Sequence, residues 1–322
     1  MTFAALVSIS ALLSGEVVAL GRATRVMVTG QGKIRITGEE RADLTYDSPS
    51  EVVLRTEGEW LKIYVKSEAG IELRCPKGLA AVAIENPAGE AEAVDLNGEV
   101  FIRAAGRIWL DRLGGSAMVR SPGGEVRAGR IAGSLRCFSG GGPIRIDSVG
   151  MAQIESRGGE IIIGDARGPV TAHSLGGNIQ IERAASTVEA STTGGSIQIG
   201  SARGVNCRAG AGGIRLKNVS GVVRAETGSG TILMEPSRIS PLGETFLRTS
   251  SGDIVVLLPS KLALTVKAEA HEGGRTARIV SGFPEIPVWG LAGEGSLNGG
   301  GPLMRLDVTD GTIFLRRATP RP

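Results

Sequence analysis

Asp147 and Asp165 are the residues whose type and spacing come nearest to a catalytic pair. They lie about one repeat apart in a glycine-punctuated sequence, so both could line one edge of a stacked structure. Two carboxylates at a fixed separation are what glycoside hydrolysis requires. Neither aspartate is accompanied by a basic cluster, however, and single aspartates are common turn formers. A β-helical polysaccharide-active enzyme is therefore kept only as an alternative function.

The other catalytic residue types form no recognisable motif. His173 and His271 are the two histidines, and His173 follows an apolar residue in an alternating segment, which predicts a solvated side chain. No G-x-S-x-G elbow is present, and the glycine-rich segments precede strands, not the helix that a phosphate-binding loop needs. The sequence predicts that the chain is not an enzyme, with no catalytic residue, no cofactor-binding residue and no cofactor.

A calcium-binding β-roll is the sharpest metal hypothesis, because its nonapeptide repeat is half as long as the repeat found here. In the segment Gly158–Ala166, Ile161 stands where that nonapeptide needs glycine, and Ile163 stands where it needs the ligand aspartate. Calcium takes about six to eight oxygen ligands, and these positions offer apolar side chains instead. The sequence therefore predicts no metal site.

The tryptophans and cysteines are widely spaced in the chain. Trp60, Trp109 and Trp289 could stack on sugars, but they lie in three distant segments. Packing in or near the ends of the fold is therefore the favoured interpretation. The cysteines form no C-x-x-C or Cys/His metal pattern, and all are predicted to be small core residues: Cys75, Cys137 and Cys207.

The charge of the chain excludes one class of partner. There are 36 Lys and Arg residues against 33 Asp and Glu residues, a net charge of +3. A nucleic-acid-binding protein normally carries a concentrated basic patch. Nucleic acid is therefore not an expected partner.

The N-terminal segment is apolar and small as far as Gly15. It is too short to span a membrane and has the length of a signal-peptide core. Val17 and Ala19 offer a small-residue cleavage site, whereas Glu16 lies near the end of the apolar run and no Lys or Arg precedes that run. Residues 1–21 are predicted to be a signal peptide, complete or truncated, with a buried first strand as the alternative. No integral membrane span is expected.

Regularly spaced glycines mark a structural repeat, and this repeat must position the candidate residues named above. From Gly98 to Gly230, a glycine stands at regular intervals before each short apolar segment, with Ser186 as a substitute. From Gly133 onward the segments alternate between a G-G-x-I-x-I type and a single-glycine type, so two successive segments form one 17–18-residue repeat. Such a period is typical of a solenoid, in which glycine is expected to supply positive-φ corners.

Apolar residues recur at equivalent positions of the repeat and alternate with polar ones. Alternation with period two places the apolar residues on one face of each strand. The two-type repeat favours a flattened, two-sided solenoid over a three-sided one with longer coils. The predicted inward ladders include Val126, Ile144, Ile161, Ile179, Ile197, Ile214 and Ile232 in one strand, and Cys137, Ile154, Ala172, Ala190, Cys207 and Ala225 in the other.

Both ends depart from this repeat and read as longer alternating strands. Because the terminal coils of a solenoid must cover open strand edges, we expect irregular β caps there. The predicted fold class is all-β, a β-solenoid with 17–18-residue coils and caps at both ends. The predicted organisation is residues 1–21 as a signal segment, 22–95 as an N-terminal β cap, 96–252 as the regular solenoid and 253–322 as a C-terminal β cap.

Several segments together resemble the bacterial putative-adhesin family of β-solenoid domains of unknown function. They are the G-K-I-R-I-T-G stretch at 32–38, the G-G-x-I-x-I repeats, the S-G-D-I-V-V-L-L-P stretch at 251–259 and the D-G-T-I stretch at 310–313. The similarity extends over roughly residues 25–318. It implies a signal peptide or membrane tether and a bacterial surface or periplasmic setting, without an established activity.

The favoured function from the sequence is a non-enzymatic, extracytoplasmic β-solenoid that acts as a surface-interaction, adhesin-like or scaffold module. A cell-surface polymer or a protein is the kind of partner considered, and neither is identified. A cytoplasmic, bactofilin-like scaffold that polymerises end to end is the main alternative. Irregular ends count against that scaffold, because end-to-end polymerisation needs uncapped coils.

Overall fold

The computed structural model describes residues 6–9, 15–66, 68–271 and 277–318. These residues are organised as β-strands and turns, with no helix among them, which confirms the all-β prediction. No helix long and apolar enough to cross a membrane is present among these residues. Two compact units are present, Met1–Gly159 and Glu160–Pro322, here called unit 1 and unit 2.

Unit 1 contains fifteen strands in its described residues. They are β1 (Leu6–Ile9), β2 (Glu16–Val18), β3 (Arg25–Thr29), β4 (Ile34–Glu39), β5 (Leu44–Asp47), β6 (Val52–Glu57), β7 (Trp60–Val65), β8 (Ile71–Pro76), β9 (Ala81–Asn86), β10 (Ala91–Val94), β11 (Glu99–Ala104), β12 (Ile108–Asp111), β13 (Ala117–Ser121), β14 (Val126–Ser139) and β15 (Ile144–Ser156). Much of the predicted signal segment 1–21 lies outside the described residues.

Unit 2 contains sixteen strands in its described residues. They are β16 (Ile161–Ala166), β17 (Val170–Ser174), β18 (Ile179–Ala184), β19 (Val188–Thr192), β20 (Ile197–Ile199), β21 (Ala202–Ala209), β22 (Ile214–Ser229), β23 (Ile232–Pro236), β24 (Leu242–Ser251), β25 (Ile254–Leu258), β26 (Leu264–Ala270), β27 (Arg278–Ser281), β28 (Val288–Trp289), β29 (Ala292–Leu297), β30 (Leu303–Asp310) and β31 (Thr312–Arg317).

Each regular coil consists of two strands, and each strand pairs in parallel with the next strand but one. In unit 2, β16, β18, β20 and β22 form one stack, while β17, β19, β21 and the second half of β22 form the other. Ile179 pairs with Ile161 on one side and with Ile197 on the other, so register partners are separated by one full coil. The two-sided solenoid and its 17–18-residue coils are therefore confirmed.

The core is a pair of apolar ladders enclosed between the two stacks. The predicted ladder residues are buried, and they pair in the predicted register in each unit, as Val126 does with Ile144 and Ala190 with Cys207. Neighbouring parallel strands lie about 4.8 Å apart, so each apolar side chain contacts its equivalent in the adjacent coil. Dispersion and hydrophobic burial along these ladders hold the coils together.

The repeating glycines are needed mainly for close backbone approach. Positive φ is found at Gly204, Gly221 and Gly230, as expected for corners. At Gly195 and Gly212 the reason differs, because a Cβ atom would lie 2.2 Å and 1.9 Å from the carbonyl oxygen of the equivalent glycine in the adjacent coil. Any side chain at these positions would therefore force the stacked turns apart.

The order of coils is inverted at the N-terminal end of unit 1. Strand β3 pairs on one edge with β7 and on the other with β9, and β4 is likewise enclosed by β8 and β10. The β3–β4 coil therefore lies one position inward, and the later β7–β8 coil is outermost. Antiparallel strands cover that outermost coil, with β6 on β7 and β5 on β8.

A similar inversion occurs at the C-terminal end of unit 2. Strand β30 lies between β24 and β26, and β31 lies between β25 and β27. The β30–β31 coil thus lies between two coils, β24–β25 and β26–β27, whose strands come earlier in the chain. Strand β29 then covers β26 in antiparallel pairing, which gives this end the irregular cap that the sequence predicts.

Candidate functional site

The residues with catalytic potential are dispersed. Asp147 is exposed on β15, whereas Asp165 on β16 lies 3.3 Å from the guanidinium of Arg183. His173 Nδ1 lies 2.6 Å from Ser191 Oγ, and His271 Nε2 lies 3.5 Å from Asp307 Oδ1. Across the described part of the chain, no three His, Cys, Asp or Glu side chains are grouped to hold a metal ion.

The three cysteines are buried free thiols. Burial raises the pKa of Cys75 and of Cys137 to about 12, and it raises the pKa of Cys207 well above its ordinary value. A thiol becomes nucleophilic only as the thiolate, so these cysteines serve as small apolar residues in the core.

Trp109 stands on the outer surface of unit 1, in the middle of a regular coil. Its strand β12 lies between β10 and β14, and the register places Glu92 on one side of Trp109 and Arg127 on the other. Because residues that alternate along a strand point to opposite faces, all three side chains project outward over the buried Ile108 and Leu110. We call this surface the Trp109 face: Lys33, Arg35, Glu90, Glu92, Arg107, Trp109, Glu125, Arg127 and Arg145.

Cations surround the tryptophan and its neighbours on the Trp109 face. The guanidinium of Arg127 lies 5.7 Å from the centroid of the Trp109 ring, within the range of a cation–π interaction. Glu125 is paired with three guanidinium groups, at 3.2 Å from Arg145, 3.6 Å from Arg127 and 4.0 Å from Arg107. These ion pairs fix the orientation of the side chains around the ring.

Glu92 lies beside Trp109, on the side opposite Arg127. Arg35 donates to Glu92 Oε1 at 2.7 Å, and this hydrogen bond raises the pKa of Arg35. Lys33 Nζ lies 3.6 Å from Glu92 Oε2. Between these groups is a cleft of about 150 Å³, lined by Lys33, Glu90, Ala91, Glu92, Arg107 and Trp109.

The chemistry available at this cleft is recognition by an aromatic ring and charged hydrogen-bonding groups. An indole ring offers a flat apolar surface, and the carboxylates and cations beside it can accept from and donate to hydroxyl or charged groups of a ligand. Trp109 is therefore a surface residue, unlike the cap-packing role favoured from the sequence. Its neighbours Glu92 and Arg127 are each one coil length away in the chain, so the repeat spacing could have identified them.

The other two tryptophans have different surroundings. Trp60 begins β7, and the guanidinium of Arg25 lies 5.6 Å from its ring. Trp289 on β28 in unit 2 is 67% exposed. Neither ring lines a cleft like the one beside Trp109 in the described residues. Substitutions of these two tryptophans can therefore serve as controls for substitutions of Trp109.

A second cleft of unit 1 lies on the other stack and is more apolar. It has a volume of about 210 Å³, and its lining includes Phe101, Met118, Leu135 and Met151. Phe101 is 36% exposed and Met151 48% exposed. The polar side chains of Glu99, Arg136 and Gln153 complete its rim, so the two outer surfaces of unit 1 differ in chemistry.

The described residues form an all-β solenoid that presents an aromatic ring and charged hydrogen-bonding groups on the Trp109 face. Residues 132–281 match the family model described as Toastrack DUF4097, and the resemblance inferred from the sequence is confirmed. A solved structure of a putative adhesin from Bacteroides fragilis NCTC 9343 is 13% identical, covers 93% of this chain and 95% of its own, and has a TM-score of 0.30.

A second solved structure gives a similar alignment. It is a putative cell adhesion protein from Clostridium sporogenes ATCC 15579, which is 11% identical and has a TM-score of 0.18. The match covers 94% of this chain and 99% of that one. No curated protein matches the chain.

Proposed function

We propose that the chain is a non-enzymatic, extracytoplasmic interaction module of the adhesin type that binds a cell-surface polymer through the Trp109 face. The observation that carries this proposal is the outward column of Glu92, Trp109 and Arg127 on three adjacent strands. A polymer laid across the strands meets one side chain about every 4.8 Å. The cleft beside Trp109 gives one ring of that polymer a place to stack.

The ion pairs of the Trp109 face support binding and count against catalysis. Glu92 is held by Arg35 and Lys33, and Glu125 is held by three arginines. Glycoside hydrolysis needs one protonated carboxyl group beside one ionised carboxylate. Glu92 and Glu125 are each held by cations instead, an arrangement that orients hydrogen-bond acceptors toward a ligand.

An extracytoplasmic location is supported by the apolar composition of the N-terminal segment as far as Gly15 and by the family resemblance. Fractionation of cells that produce the native protein tests this directly. We expect the protein in the periplasmic or surface fraction, with the segment 1–21 removed or serving as a tether. Recovery of an intact chain in the cytoplasmic fraction would instead favour the scaffold alternative.

The scaffold alternative is disfavoured by the covered outer coils. Antiparallel strands β5 and β6 lie on the outermost coil of unit 1, and β29 lies on β26 in unit 2. A solenoid that polymerises end to end needs its terminal strand edges for pairing with the next copy. Here the outer edges of β7, β8 and β26 are already hydrogen-bonded within the chain.

Polymer binding by matched tryptophan variants tests the site. We expect Trp109→Ala to weaken binding to the polymer that the wild type retains from a panel of bacterial cell-wall polysaccharides. Loss of a stacking contact is equivalent to about a tenfold change in dissociation constant, or about 1.4 kcal/mol. The matched control is Trp289→Ala, which removes an exposed tryptophan from unit 2. Equal effects of both variants, or release of sugar products by the wild type, would contradict the proposal.

A further inference from the structure

One corner of unit 2 departs from the regular repeat in three successive coils. The pairing of β21 with β22 shifts register between Arg203 and Val205, at Gly204, whose φ is 93°. The pairing of β22 with β23 shifts between Lys217 and Val219, at Asn218, whose φ is 47°. Such bulges re-aim side chains and are common beside functional sites.

The third departure is an insertion at the same corner. The coil that joins the register partners Ile232 and Ile254 is longer than the regular 17–18-residue coils. The extra residues lie between β23 and β24, where Ser237 N donates to Val219 O at 2.7 Å and Ser237 Oγ accepts from Ile239 N and Ser240 N. The inserted loop is thus anchored, and its tip residue Ile239 is 95% exposed.

The loop forms one wall of a polar cleft of about 300 Å³. The lining includes Arg183, Ser201, Arg203, Asn218, Ser220 and Ser240. Asn218 Nδ2 donates to Ser201 Oγ at 3.2 Å, which links two coils along the cleft. Hydroxyl and amide groups from adjacent coils therefore face a single groove across the strands.

The charge in this cleft is unbalanced. Arg183 is paired with Asp165 at 3.3 Å. Within the part of the chain that the structure describes, the exposed guanidinium of Arg203 has neither an ion pair nor a side-chain hydrogen bond. A guanidinium group has a planar set of donors that fits a carboxylate or a phosphate in a bidentate way. The cleft therefore combines one available cation with several neutral hydrogen-bonding groups.

We propose that this corner cleft binds an anionic group, carboxylate or phosphate, of a hydroxylated polymer. Arg203 pairs with the anion, while Ser201, Asn218 and Ser220 hydrogen-bond to hydroxyl groups beside it. The inserted loop closes the cleft at the Ile239 side. This site is separate from the Trp109 face and stands on its own observations.

Titration calorimetry of the full chain tests the assignment with three probes. They are polygalacturonate, a glycerol-phosphate polymer and uncharged dextran. We expect saturable binding of at least one anionic polymer and no binding of dextran. Preference between the two anionic probes distinguishes carboxylate from phosphate as the recognised group.

Substitutions separate this site from general charge attraction. Arg203→Gln is expected to weaken binding about tenfold, equivalent to about 1.4 kcal/mol, and Arg203→Lys to weaken it less. Arg215→Gln removes the same charge from an exposed position on β22 outside the cleft and is expected to have little effect.

Three results would overturn the assignment. The first is equal loss of affinity in Arg203→Gln and Arg215→Gln, since that pattern indicates non-specific attraction. The second is binding of dextran as tightly as of the anionic polymers. The third is failure of both anionic polymers to bind the wild-type chain. The Trp109 face is tested separately, by comparing Trp109→Ala with Trp289→Ala.

Discussion

Ile179 on β18 and Ile197 on β20 lie directly opposite each other in parallel register, and each side chain is 1% exposed. Their strand neighbours Gln180 and Gln198 are also partners, on the outer face. This alternation repeats from coil to coil, so one register decides which residues form the core.

The register predicts opposite outcomes for two neighbouring substitutions. Ile179→Asp would bury a carboxylate without a partner at a cost of several kcal/mol, which is comparable with a total domain stability of about 5–15 kcal/mol. We expect the variant to be insoluble or unfolded. Gln180→Asp places the same charge in solvent and should fold, as circular dichroism and urea unfolding will show. If both variants fold equally well, the register is incorrect.

The glycine ladder predicts a second matched pair. Gly195→Ala should destabilise unit 2, because its Cβ would lie 2.2 Å from Gly177 O and overpacking costs about 1–3 kcal/mol. Gly194→Ala is the control, because its Cβ would be no closer than 3.8 Å to a neighbouring atom. The midpoint of urea unfolding measures both. A larger loss for Gly194→Ala than for Gly195→Ala would refute the close-approach explanation.

The regular part of the fold could be predicted from the sequence, because glycine spacing and apolar alternation both recur with the coil. The inverted order of coils at the two ends could not. Val28 pairs with both Ile63 and Ile84, yet all three residues belong to similar alternating segments. The alternation of apolar residues determines which face of each strand is buried. It does not determine which coil lies next to that strand. The choice depends on how the antiparallel strands cover the outermost coil.

Some strands could not be predicted for a local reason. Ala81–Asn86 is buried at every residue except Glu85, so it lacks the alternation that marks a half-exposed strand. Ala292–Leu297 contains two glycines and a charged residue, which are weak strand formers. The sequence identifies Trp109 as a candidate sugar-stacking residue, and its neighbours Glu92 and Arg127 can be found only by applying the coil length to that position.

Because its thiols are buried, the folded protein should become less stable at alkaline pH. An unfolded cysteine has a pKa of about 8.5, whereas burial raises the pKa of Cys137 in the folded chain to about 12. As the pH rises above the unfolded value, the unfolded state releases a proton that the folded state retains, so stability falls through this window. We expect the urea midpoint to decrease between pH 8 and pH 10.

Thiol labelling provides the matching measurement. Iodoacetamide at pH 8 should modify none of the three buried cysteines in the native protein and should modify all three in denaturing urea. Cys137→Ala should reduce the alkaline loss of stability. Rapid labelling of Cys137 in the native chain would show that the ladder is open to solvent.

The central claim, that the Trp109 face contacts the ligand, is tested most directly by fluorescence from Trp109 alone. A Trp60→Phe, Trp289→Phe variant retains Trp109 as the single tryptophan, since the chain contains three. Titration with the cell-wall polysaccharide that the wild type binds should give a saturable change in Trp109 emission, with the midpoint equal to the dissociation constant from calorimetry. Saturable binding by calorimetry without any change in Trp109 emission would place the contact elsewhere and contradict the claim.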